Sequence, residues 1–153
     1  MKRRILTIGA IAIMSISLLA GCDSKNDYKS EVKEFEKCVN TVKKSTKKID
    51  SNDFEDSDFR NKYIKDMQKL IDDVDVSTKE GKELRDDISD FWNVHAEYLI
   101  LGENAQNVDE EKFMDDFDKV DDAFDDFCDA AEDKGANVEK LVDIRDAIAK
   151  EIN

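Results

Sequence analysis

Not one of the 153 residues is a proline, and Gly81, Gly102 and Gly135 are the only glycines after residue 21. Proline and glycine are the strongest breakers of regular backbone, so little interrupts a helix once it has started. No stretch shows the alternation of a strand. Apolar residues recur instead at threes and fours, most cleanly at Phe113, Phe117, Val120, Phe124, Phe127 and Ala131. That spacing is the seam of a bundle or coiled coil. The chain is expected to be all-α.

Five helices can be placed on the apolar periodicity. The first is expected from about Tyr28 to Ile49, with Tyr28, Val32, Phe35, Cys38 or Val39, Val42, Thr46 and Ile49 on one stripe. Ser51 to Ser57 is polar and acidic and reads as a loop. A second helix from about Asp58 to Asp75 carries Phe59, Tyr63, Met67, Leu70 or Ile71, and Val74. Ser77 with Glu80 matches a capping box and starts a third helix, which stops at Gly102. Leu84, Ile88, Phe91, His95 and Tyr98 or Leu99 form its stripe, and Trp92, Val94, Ile100 and Leu101 widen it until two sides need neighbours. Asn107 with Glu110 gives another box-like start for the seam helix, which Gly135 ends. Val138, Leu141, Val142, Ile144, Ile148 and Ile152 support a last helix from about Asn137 to Ile152. Short loops favour an up-and-down bundle of four to five helices. Residues 29–48 carry a net +4 and residues 109–133 a net −11, which suggests the first helix packs beside the fourth.

The first twenty-two residues have a different character. Lys2, Arg3 and Arg4 precede an apolar run from Ile5 to Leu19, and Leu19-Ala20-Gly21-Cys22 follows. A basic start, a short apolar segment and small residues at a cut site mark an export signal. Ile5 to Gly21 is only seventeen residues and carries Thr7, Gly9, Ser15 and Ser17, which is short and polar for a transmembrane helix. Leu19 to Cys22 resembles the lipobox of bacterial lipoproteins. The resemblance implies that Leu19, Ala20 and Gly21 are the signal-peptidase recognition residues, that Met1 to Gly21 are removed, and that Cys22 carries a diacylglyceryl anchor. It also implies a location on the extracytoplasmic face of the cell membrane. Residues 22–27 then form a lipid-anchored tether and residues 28–153 the helical bundle domain. With its Lys-, Asp-, Asn- and Ile-rich composition, the chain resembles small helical lipoproteins of low-GC Gram-positive bacteria; in a Gram-negative host, Asp23 would resemble an inner-membrane retention signal.

Residues 1–21 hold three of the 24 basic residues and none of the 38 acidic ones, so the remainder carries 21 against 38, or −17. Such a chain is not expected to bind nucleic acid, whose affinity comes from cations on phosphate. Beyond Cys22 two cysteines remain, Cys38 and Cys128, both on apolar stripes. An exported protein can join them as a disulfide if their Cα atoms come within about 7 Å; otherwise each behaves as a small hydrophobe.

Eight aspartates between Asp115 and Asp129 stand around the seam of the fourth helix. Asp118, Asp122 and Asp125 share a face and are the weak calcium candidates, although one straight helix does not converge oxygens from several directions. A solvated, solubilising face is the simpler account. His95 is the only histidine, and no nucleophile elbow, thiol-enzyme motif or zinc spacing accompanies it. Phe91, Trp92, His95 and Tyr98 can line a groove for a ligand or a partner's helix, or simply be core. The expectation is a non-catalytic module that uses no cofactor and binds a protein partner of unknown identity. The alternative is a ligand- or cation-binding carrier or sensor using the Trp92/His95 region or the acidic face.

Overall fold

The computed structural model describes residues 28–46, 49–106 and 108–152. The leader 1–21, the tether 22–27 with Cys22, and Lys47, Lys48 and Asn107 lie outside the described residues, as do the side chains of Val39, Lys43, Thr46, Ile148 and Ile152. Among the described residues, five α-helices follow in order: α1 Tyr28–Thr46, α2 Ser57–Asp72, α3 Lys79–Leu101, α4 Glu110–Asp133 and α5 Glu139–Ile152. No strand occurs among the described residues, and the fold is an all-α bundle.

The helix α3 lies at the centre, packed most extensively on α4 and next on α2, while α1 touches α4 and α5. Its composition explains this position: Leu84, Ile88, Phe91, Trp92, Ala96, Leu99 and Ile100 are all buried, which spreads apolar surface over two sides. The expected pairing of α1 with α4 is present, and the contact is aromatic. Phe35 meets Phe127 edge-on at 4.8 Å between ring centres, and Tyr28 lies 6.1 Å from the same ring. Such a pair adds about 1 kcal/mol beyond the area it buries. Cys38 and Cys128 are both buried, and no disulfide joins them in this structure. Burial pushes the Cys128 thiol up to about 12.

Helix ends depart from the sequence expectation where tertiary partners intervene. Helix α3 begins at Lys79, with Thr78 as its N-cap accepting the Gly81 N–H at 3.0 Å. Ser77 and Glu80 therefore do not form a capping box. The Ser77 N–H donates to Glu31 of α1 at 2.7 Å, and Glu80 accepts the Tyr28 hydroxyl at 2.6 Å. At α4 the difference is local: Asp109 is the cap and accepts the Lys112 N–H at 3.0 Å, so the first residue of the helix is Glu110 itself. Gly102 (φ 56°) and Gly135 (φ 74°) end α3 and α4 as expected, both with positive φ that disfavours other residues.

The stretch expected as a loop holds a 3₁₀ turn, Ser51–Glu55. It drives Phe54 into the core, where it meets Phe59 at 5.7 Å and Tyr63 at 5.1 Å. Arg60 of α2 fastens this turn by donating to the Phe54 carbonyl at 2.7 Å.

Candidate functional site on the third and fourth helices

His95 is buried at 6% exposure on the α3 side that faces α4. Its Nε2 lies 3.0 Å from Asp116 Oδ2. The same carboxylate takes the Lys112 ammonium on Oδ2 and the Lys119 ammonium on Oδ1 at 2.7 Å. These residues come together by helical spacing: Lys112, Asp116 and Lys119 stand at i, i+4 and i+7 on α4. Hydrogen bonds from Lys112, Lys119 and His95 hold the Asp116 carboxyl well below the usual carboxylate range. An ionised carboxylate only accepts, so His95 Nε2 must carry the shared proton.

Around this polar centre the rings are close. Phe91 lies 4.9 Å and Phe113 5.2 Å from the His95 ring, Tyr98 lies 5.0 Å from Phe113, and Phe117 stands 6.1 Å from Phe91. Trp92 belongs elsewhere. Its indole N–H donates to the Ile64 carbonyl of α2 at 3.1 Å, and its ring sits 6.5 Å from Tyr63 with no exposed surface. The expected groove of Phe91, Trp92, His95 and Tyr98 is thus divided between two sides of α3, because one residue along a helix turns about 100°. Three of the four share the α4 side and the fourth packs on α2.

This arrangement is a structural ion cluster more than a reaction centre. A carboxylate held low is a weak base, and general-base catalysis needs a value near the working pH. Cys128 lies twelve residues along α4 from Asp116, about 18 Å along the axis, and its thiol is pushed up, away from the thiolate.

The acidic side of α4 is open to solvent. Asp118, Asp122 and Asp125 are exposed. Asp125 accepts from Arg145 of α5, whose guanidinium also approaches Asp121 at 3.8 Å and covers the Phe124 ring at 5.3 Å. Among the described residues no group of three or more His, Cys, Asp or Glu side chains is placed to hold a metal ion. The calcium candidates therefore remain three carboxylates on one face. Beside them, Phe113, Phe117, Val120 and Phe124 are only partly buried, and Met114 is 53% exposed one short step from Phe117.

Two site residues escaped the sequence reading. Asp116 lies among eight similar aspartates, yet it is three residues after Phe113 and four before Val120, on the apolar stripe itself. Glu31 has the same mark, three after Tyr28 and four before Phe35. An acid on a stripe position is the signal that separates a buried carboxylate from a solvated one. Comparison with known proteins finds no matching family, no similar curated protein and no similar solved structure.

Proposed function

We propose that this chain is a lipoprotein anchored through Cys22 on the extracytoplasmic face of the membrane, and that its bundle is a non-catalytic module for binding a protein partner. The observation that carries the reading is the α4 surface. Its seam is aromatic and only partly buried at Phe117, Val120 and Phe124, and a row of exposed aspartates borders it. An apolar strip edged by one sign of charge fits the apolar face of a helix rich in Lys and Arg. A second copy of the same acidic surface would be repelled. Recognition by an apolar strip with charged edges needs neither a nucleophile nor a cofactor.

Crosslinking on intact cells tests this, with a photoreactive residue at Met114 or at Lys62 on α2, in the native chain and in Cys22→Ala. One dominant adduct from Met114, absent from Lys62 and reduced in Cys22→Ala, is the expected result. Adducts of equal yield from both positions would sink the α4 surface. A Cys22 whose intact mass shows no diacylglyceryl group would sink the anchor.

A further inference from the structure

Two concavities at the end of the bundle where α1 begins are lined mainly by lysines, in a molecule of opposite net charge. Tyr28 and Lys29, the α3 start at Ser77–Glu80, and Lys134 after α4 enclose an open concavity of about 650 Å³. A second concavity of about 440 Å³ shares Lys29 as a wall and adds Lys33 of α1 and Lys140 of α5. Five lysines, Lys29, Lys33, Lys79, Lys134 and Lys140, line the two, against the carboxylates of Glu36, Glu80 and Glu139. The lining is therefore +2 in a chain of net −14. One of the three carboxylates, Glu80, accepts the Tyr28 hydroxyl at 2.6 Å within the first concavity. Glu36 pairs with Lys140 at 3.5 Å, and Lys79 pairs with Glu83 at 3.4 Å.

The covalent chain places this end relative to the anchor proposed above. Only residues 23–27 separate Cys22 from Tyr28, and six residue steps span at most about 20 Å. A lipidated Cys22 keeps the lysine-lined end close to the bilayer, and α4 extends away from that end toward its start at Glu110. Lysines within a Debye length of an anionic bilayer are attracted to it, whereas acidic faces are repelled.

We infer that this lysine-lined end is a docking surface for the anionic phospholipid headgroups of the membrane, and that it stands the bundle end-on. The inference rests on the anchored reading of the preceding subsection, but it fails separately from it. The acidic remainder opposes any flat orientation, so attraction at one end and repulsion elsewhere act together. Docking needs no deep pocket, because headgroup phosphates meet ammonium groups at the surface.

The test is lysine acetylation footprinting of the full-length, membrane-extracted protein, reconstituted in vesicles of equal phosphatidylglycerol and phosphatidylcholine or of phosphatidylcholine alone. Modification of Lys29, Lys79 and Lys134 is expected to slow about fivefold on the anionic vesicles relative to the neutral ones. High salt should abolish the difference. Lys62 and Lys112, at the opposite end, should react equally on both. Equal modification of the five lysines on neutral and anionic vesicles overturns the docking surface. The intact mass of the same sample reports diacylglyceryl on Cys22 independently, so an absent anchor and an absent docking surface give different results. A chain with Lys29→Gln, Lys79→Gln and Lys134→Gln should lose the remaining protection at Lys33 and Lys140; retained protection there would also overturn the proposal.

Discussion

Glu31 shows how one side chain joins two helices. Its carboxylate, 3% exposed, accepts from the backbone N–H groups of Ser77 and Thr78 at 2.7 and 2.9 Å. It also accepts from their hydroxyls at 3.0 and 2.5 Å. Four donors and the positive end of α3 supply what burial takes away. Replacing it with alanine leaves the two Thr78 donors buried and unpaired, and should cost about 3 kcal/mol in chemical denaturation. Gly81 follows from the same contact. A Cβ there would meet Glu31 Oε2 and come within 2.8 Å of Thr78 Oγ1. A helical glycine normally gains about 1 kcal/mol on replacement by alanine, but Gly81→Ala should lose 1–3 kcal/mol, roughly the cost of overpacking. In a Glu31→Ala background the loss should shrink, and additivity of the two changes would show that the clash is not with Glu31. Cys128 offers a reactivity test. With its thiol pushed from 9.0 to about 12 by burial, its thiolate fraction at pH 8 falls by about a thousandfold. Labelling of Cys128, followed residue by residue in mass spectra, should be slow in the native protein and ordinary in denaturant. Rapid native labelling would contradict its burial.

Among the helices, α4 shows which of its aspartates are structural. Asp116 bonds His95, Lys112 and Lys119, whereas Asp118 and Asp122 are exposed. Asp116→Asn should destabilise by about 1–3 kcal/mol at pH 7, and Asp118→Asn by nearly nothing. The pH dependence has a definite sign. Because the folded Asp116 lies below its unfolded value, its contribution is complete above pH about 4 and is lost as pH falls toward the folded value. The gap between wild type and Asp116→Asn should therefore close only in strong acid; a gap that closes near pH 6 would remove Asp116 from this role. These elements also show what could be read before the structure. Helix positions follow from the apolar stripes, because periodic burial is written locally; the α1–α4 pairing is suggested by opposite net charge, whereas the contact that makes it is Phe35 on Phe127. The caps were misread at Ser77 and Asn107, since the partner of the Ser77 N–H is Glu31, 46 residues earlier. Phe54 is hidden for another reason: it is a lone apolar residue in an acidic stretch and repeats at no helical period. Long-range partners leave no local pattern, and the face split at Trp92 came from a turn of about 100° that a widened stripe obscured.

At the scale of the whole molecule, 38 acidic residues against 24 basic ones make repulsion the dominant long-range force. Exposed pairs such as Lys62–Asp66 at 2.5 Å oppose it weakly, each being worth about 0–1 kcal/mol. Burial pushes the Asp87 and Asp121 carboxyls up, and the surrounding acids push them the same way. For a carboxyl raised on folding, the charged form costs stability above the folded value, and that cost is relieved as pH falls. Two outcomes should therefore agree. The melting temperature should rise by several degrees between about 20 and 500 mM NaCl, where the Debye length shrinks from about 20 Å to a few ångströms. It should also rise as pH falls from 7 toward the raised values of Asp87 and Asp121, before Asp116 begins to protonate. A fall with salt would mean that the exposed pairs, and not the repulsion, control the fold. Calcium at matched ionic strength distinguishes screening from binding. An ion that only screens shifts the melting temperature no more than sodium does, whereas a bound ion adds a shift that grows with its concentration over its dissociation constant. The scattered carboxylates of α4 predict the first result, and an added shift with calcium would move the molecule from the interaction module to the cation-binding reading.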